Sequence, residues 1–187
     1  MSLERNTVKA SNSLPSNVFL NTYITKMKGQ KIKGYRINFM ENVISATGGL
    51  IAMIIIAILA ISLDYPMVLG PIGATCLLVF AIHEGPFSQP LPVIGGHFIS
   101  TFAALLLWSL FGKNPVIIGI TLAIAVFLMF ILKVVHPPAA ASAVVAINTQ
   151  PGWDYLFMIV FCSILVISIS VLYNNLFKNR QYPKQWF

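Results

Sequence analysis

Apolar sequence in this chain alternates between long and short runs. Residues 43–63 are 21 positions without a charge, enough for a helix to span a bilayer. Asp64-Tyr65-Pro66 ends that run, and a short apolar segment follows at 71–82. A polar, proline-rich loop at 83–92 leads to a second long run, 93–111, closed by the turn Gly112-Lys113-Asn114. A third long run covers 116–130 and a little beyond, a second short one covers 137–147, and a fourth long one covers 155–176. The order is long, short, long, turn, long, short, long. Aligning Pro71 with Pro137 makes the two halves correspond in layout, which is the mark of an internal repeat.

The pattern predicts an all-α membrane protein. Four long transmembrane helices and two short half-helices fall into repeats at about 43–111 and 115–176. Residues 64–70 read as extended chain reaching about 23 Å, and a helix over 71–82 adds about 18 Å. Together these exceed a hydrocarbon core of roughly 30 Å. On that count each short segment completes a crossing, making six crossings in two inverted halves. Re-entrant short segments would give four crossings and a parallel repeat, which the lone Lys113 in the central turn favours.

Composition agrees with lipid as the solvent. Of 187 residues, 57% are hydrophobic and 9% charged, against roughly 25% charged in soluble domains. The net charge of +7 is concentrated in the flanks. Lys26, Lys28, Lys31, Lys33 and Arg36 precede the first long run, and Lys178, Arg180 and Lys184 follow the last. Basic flanks mark the cytoplasmic side, so both termini are expected inside a cytoplasmic (inner) membrane. Residues 1–37 and 178–187 then read as basic tails around a transmembrane domain at 38–177, with their charge serving topology and lipid headgroups rather than nucleic acid. Val18, Phe19, Ile24 and Met27 suit one face of a surface helix. No apolar signal core lies near Met1, although residues 5–36, basic and free of acidic residues, leave a transit sequence as an alternative. Cys76 and Cys162 lie inside apolar runs and read as small buried hydrophobes.

Chemistry concentrates at the breaks. Pro71 and Pro137-Pro138 suit the first turn of a helix. The small residues that follow, Gly73-Ala74-Thr75 and Ala139-Ala140-Ala141-Ser142, would let an anion approach free N–H groups at a helix N-terminus. Close helix packing is the other reading of the same residues. Lys133 and His136 sit within apolar sequence, where an ionisable side chain is a functional candidate. The predicted substrate-binding set is therefore Gly73, Ala74, Thr75, Lys133, His136, Ala140, Ala141 and Ser142. His97 reads as a helix-packing or hydrogen-bonding residue, and Gly95-Gly96 and Gly48-Gly49 as close helix contacts. His83-Glu84 lacks the second histidine of a zinc-protease motif, since position 87 is Phe87. Neither a nucleophile elbow nor a phosphate loop is present, so no cofactor, metal or enzymatic activity is expected.

Four landmarks appear in order: Gly70-Pro71-Ile72-Gly73-Ala74-Thr75; Ser88-Gln89-Pro90 with Gly95-Gly96-His97; His136-Pro137-Pro138-Ala139; and Tyr173-Asn174-Asn175 with Tyr182-Pro183 and Trp186. Through them the chain resembles the HPP family of small integral membrane proteins from about residue 38 to 187. The family's members in cyanobacteria and chloroplasts are linked to nitrite transport. The resemblance thus implies a small monovalent anion as cargo, and it brings no site residues with it. An intramembrane enzyme and a non-transporting structural or regulatory subunit are the rival readings. The small membrane domain suggests a homo-oligomer.

Overall fold

The computed structural model describes residues 16–27 and 38–186, and the chain divides into two units at residues 37 and 38. In the first unit, α1 (Ser16–Met27) carries Lys26 in its last turn. Val18, Ile24 and Met27 are exposed on it. The side chain of Phe19 and residues Lys28, Lys31, Lys33 and Arg36 lie outside the described residues.

The second unit is built from α2 (Phe39–Ser62), α3 (Leu69–Ala81), α4 (Pro90–Phe111), α5 (Pro115–Ile131), α6 (Pro137–Thr149) and α7 (Asp154–Asn174). All regular elements among the described residues are helical. Among the described residues three helices, α2, α4 and α7, are long and apolar enough to cross a membrane. α5, with 17 residues, reaches about 26 Å, so the third of the four expected long spans is shorter than the other three.

Local signals explain most boundaries. Asn38 and Asn114 cap α2 and α5 with their side-chain oxygens, satisfying an otherwise free first-turn N–H. Gly112, at φ +70, ends α4. α2 and α5 end alike. Asp64 (φ +64) and Lys133 (φ +58) take the left-handed conformation. The next residues, Tyr65 and Val134, donate back to Ala60 O at 2.7 Å and Met129 O at 2.9 Å. This is the Schellman closure of a helix C-terminus.

The equivalence corrects the proline-based alignment. Matching Asp64 to Lys133 pairs Val68-Leu69, not Pro71, with Pro137-Pro138. Residues 64–70 are not an extended lead-in either: a 3₁₀ turn at Pro66–Val68 runs directly into α3. Pro71 is the third residue of α3, and Pro66 is the proline that opens the segment. An irregular lead-in exists only in the second half, at residues 134–136.

Helix packing follows the same pairing of halves. α2 packs on α3 as α5 packs on α6; α4 packs on α5 and α6 as α7 packs on α2 and α3; and α3 meets α6 while α4 meets α7. Successive helices run in opposite directions. At one end Arg180 joins Glu41 and Phe80 O, and Tyr182 joins Ser88 O. At the other, Tyr65 bonds Asp154, and Lys113 Nζ donates to Asn148 O at 3.0 Å. Exposure is inverted relative to a soluble protein. Leu50, Ile54, Ile58, Phe127, Phe157 and Leu172 face outward, whereas Thr75, His97, Thr121, His136, Ser142 and Ser163 are fully buried.

The C-terminal segment is part of this unit, which corrects the reading of Arg180 as a headgroup contact. Its guanidinium donates from Nε to Glu41 Oε2, from Nη1 to Phe80 O and Asn174 Oδ1, and from Nη2 to Glu41 O and Ser45 Oγ. All five donors are engaged, as a buried guanidinium requires. Tyr182 is buried and donates its hydroxyl to Ser88 O at 2.7 Å. The backbone N–H groups of Lys184 and Gln185 converge on Gln89 Oε1. The tail thus latches the 82–89 loop.

Arg180→Ala should lower stability by about 3 kcal/mol, because it leaves the Glu41 carboxylate and several carbonyls unanswered. Thermal unfolding in detergent measures this, and an unchanged midpoint would show that the latch contributes nothing. Acid should also loosen the latch. Burial and the nearby Arg180 hold the His83 imidazole below its usual range, and the Lys184 ammonium holds the Glu84 carboxyl low. Both folded pKa values are depressed, so both contributions are complete at neutral pH. The His83 contribution is lost as pH falls below about 6.5, and that of the exposed Glu84 pair only in the carboxylate range. Hydrogen exchange at the Tyr182, Lys184 and Gln185 amides should accelerate through local opening as pH falls, beyond the intrinsic change in exchange rate.

Candidate functional site

The second turn of α4 carries two glycines, Gly95 and Gly96, that let another backbone approach closely. A Cβ on Gly96 would lie 2.8 Å from His136 Cβ, 3.0 Å from Val134 O and 3.3 Å from Ala139 Cβ. A Cβ on Gly95 would lie 2.8 Å from Val134 Cγ1. The lead-in to α6 is therefore pressed against α4, and His136, the N-cap residue of α6, is carried into the bundle.

There it meets three other polar side chains. Thr75 Oγ1 of α3 lies 2.9 Å from His136 Nε2 and 2.9 Å from His97 Nε2 of α4. His97 Nδ1 lies 2.8 Å from Ser142 Oγ of α6. His136 Nδ1 lies 2.7 Å from the Phe87 carbonyl oxygen, in the 82–89 loop. Thr75, His97, His136 and Ser142 are each 0% exposed, and the imidazole centroids are 5.1 Å apart.

The directions of these bonds follow from the chemistry of the groups. The Phe87 carbonyl can only accept, so His136 Nδ1 carries a proton. In a neutral ring Nε2 then accepts, and the Thr75 hydroxyl donates to it. Thr75, having one proton, accepts from His97 Nε2–H. His97 Nδ1 then accepts from the Ser142 hydroxyl. The result is a single file of donors from Ser142 through His97, Thr75 and His136 to Phe87 O. The Pro71 carbonyl, 3.0 Å from Thr75 Oγ1, offers the hydroxyl proton a second acceptor.

Of the eight residues expected at the site, the fold brings together Thr75, His136 and Ser142. Gly73 and Ala140 are half-buried, and Ala74 and Ala141 face outward. Gly73 to Thr75 lie inside α3, because that helix starts at Leu69, so their amides are not a free N-terminus. At α6 the tandem prolines supply no N–H, and the Ala139 N–H donates to His136 O at 2.9 Å. Lys133 sits at the loop-bearing end, exposed, beside a cavity of about 190 Å³ that it shares with Pro86, Gln89, Gln185 and Trp186.

His97, expected to pack or hydrogen-bond, stands at the middle of the chain of bonds. Among the described residues six other buried polar atoms have no protein partner: both ring nitrogens of His83 in the 82–89 loop and, within the helices, Thr101 Oγ1, Trp108 Nε1, Thr121 Oγ1 and Tyr155 OH. Thr101 follows His97 by one helical turn and Trp108 lies two turns further along α4. Polar or hydrogen-bonding residues at positions 97, 101 and 108, spaced by one and then two helical turns on an apolar helix, are the sequence signal that could have found this stripe.

Apolar helices facing outward around buried polar groups define a multi-pass integral membrane protein. Residues 35–183 match the model of the HPP transmembrane region, and the chain belongs to that family. It is similar to two transmembrane proteins of Dictyostelium discoideum. One is 25% identical over 178 residues, covering 88% of this chain and 57% of the relative. The other is 24% identical over 152 residues, covering 76% of this chain and 53% of the relative. The chain thus spans a little over half the length of these curated relatives. No solved structure matches it significantly.

Gly96→Ala should cost about 1–3 kcal/mol through overpacking, because a carbonyl oxygen and two Cβ atoms cannot yield as a flexible side-chain end would. Gly49→Ala, where nothing lies within 4 Å, should leave the thermal midpoint unchanged. Equal midpoints for the two variants would refute the close approach.

Proposed function

We propose that the protein moves a small monovalent anion, nitrite first among candidates, across a cytoplasmic membrane, and that it is a transporter rather than an enzyme. The observation that carries this reading is the fully buried Thr75–His97–His136–Ser142 cluster, enclosed by apolar helices. Ionisable groups in such a place mark ion and proton pathways. Membership of the HPP family supports the choice of cargo.

The packing of α2–α4 and α5–α7 supports an inverted repeat with six crossings, in which α3 and α6 are the short members. Three crossings per half reverse the second half, as in transporters that place their site where the halves meet. The basic flanks support cytoplasmic termini. Lys133 draws the anion to the loop-bearing end. His136, Thr75 and Ser142 provide the polar interior, and Gly73, Ala74, Ala140 and Ala141 keep the short helices slim. A homo-oligomer completes the assembly.

Uptake of nitrite, nitrate, formate and chloride into proteoliposomes, with and without a pH gradient and corrected for empty vesicles, tests the function. Saturable nitrite uptake is expected. Lys133→Ala should reduce it by roughly tenfold through loss of electrostatic focusing, and His136→Ala should reduce it further, with both proteins still folded by thermal unfolding. Wild-type uptake in both variants would remove these residues from the pathway.

A further inference from the structure

The buried cluster has two complete sets of hydrogen bonds, and they differ by one proton. With both imidazoles neutral, donors run from Ser142 to Phe87 O, as derived above from distances of 2.7–2.9 Å. With one imidazole protonated, every bond except that to Phe87 O reverses. His136 Nε2–H then donates to Thr75 Oγ1, the Thr75 hydroxyl to His97 Nε2, and His97 Nδ1–H to Ser142 Oγ. Every side chain of the file keeps its partners in both states, although all four are 0% exposed, and the Ser142 hydroxyl proton, released in the second state, is the one donor that turns out of the file. A purely structural cluster needs only one satisfied state.

We propose that the Ser142–His97–Thr75–His136 chain relays a proton, so that anion movement through this protein is coupled to it. The inference deepens the transport reading and rests on it for the driving anion. A proton reaches His97 Nδ1 at the Ser142 end. The His97 Nε2 proton passes to Thr75 Oγ1, and the Thr75 hydroxyl proton passes to His136 Nε2. The proton on His136 Nδ1 then leaves towards the 82–89 loop. One proton enters and one leaves. The bare Nδ1 now faces the Phe87 carbonyl, an acceptor against an acceptor, and the file regains its starting direction when the two rings and the Thr75 hydroxyl turn within the cluster, without back-transfer of the proton along the same bonds.

The groups facing the two rings are Thr75 from α3, Ser142 from α6, the Phe87 carbonyl from the loop and Gly96 from α4. Among the described residues no carboxylate pairs with either ring. The other imidazole is thus the titratable neighbour of each, and at a centroid separation of 5.1 Å two imidazolium charges repel strongly in a low-dielectric interior. The relay therefore holds one proton at a time. The unpartnered Thr101, Trp108, Thr121 and Tyr155 groups give this inference a second footing. Buried polar atoms of this kind are satisfied by internal water, and the stripe on α4 leads from His97 towards the other end of the bundle.

Lumenal pH in proteoliposomes, recorded under a valinomycin-set potential with external nitrite, formate or no anion, tests the relay. Wild-type protein should acidify the lumen as anion enters. Thr75→Val keeps the volume and removes the hydroxyl, so it should slow proton movement by roughly a hundredfold, while Thr75→Ser restores it. Ser142→Ala, at the other end of the chain, should slow it as well and stands in if Thr75→Val does not fold. ¹⁵N-histidine NMR should find His136 protonated at Nδ1 and His97 at Nε2, with the His97 assignment lost in Thr75→Val. Wild-type proton movement in folded Thr75→Val would overturn the relay, as would no movement above empty vesicles with any anion. Nitrite uptake without acidification or dependence on the pH gradient would overturn the relay and leave transport standing. Proton movement without anion uptake would support the relay and end the transport reading.

Discussion

Lipid offers no hydrogen bonds, so every polar group that the bundle buries has to be answered within the protein or by water it encloses. The approach of Gly96 to His136 is where that constraint is met most tightly. The glycine admits the irregular lead-in of α6 against α4, and that approach brings His136 within reach of Thr75 and the Phe87 carbonyl. His97 and Ser142 then complete the file. A side chain at position 96 would push the lead-in away and leave several donors and acceptors in an apolar interior, where an unmade bond costs more than a made one contributes.

The same constraint explains the C-terminal latch. The last turn of α3 ends with the Phe80 carbonyl facing inward, and Arg180 answers it while pairing with Glu41. Ser88 O is answered by Tyr182, and Gln89 holds the loop backbone at His83 O and Gly85 O while accepting from the tail. The loop that presents Phe87 O to His136 is therefore set by residues almost a hundred positions later. Tail, loop and buried cluster form one connected polar system at the end of the bundle where Lys133 lies.

Much of the architecture was legible as pattern. Charge-free runs, proline and glycine punctuation and basic flanks locate the helices to within a few residues. What misled was the proline at position 71. Proline suits a first helical turn, but it is tolerated anywhere in that turn because the N–H it lacks has no intrahelical partner there. The chain starts its helix earlier, from Pro66, which moves Thr75 from a free N-terminus into the helix body. A similar limit applies to Arg180. Its position after the last apolar run is what a headgroup contact and a buried latch have in common, and only the fold-back of the tail separates them.

The sequence by itself determined the solvent, the helices and the residue types at the breaks, because hydrophobic periodicity and backbone stereochemistry are local properties. It also marked His136, Thr75 and Ser142 as residues of interest. Tertiary structure alone decided that these meet His97 in one file, that Gly73, Ala74, Ala140 and Ala141 stand apart from it, and that Lys133 lies at one end. Hydrogen-bond partners 22, 45 and 61 residues apart are chosen by how helices cross and by which backbone can come close. Helix crossing depends on all the packed faces together, and no single stretch of sequence contains it.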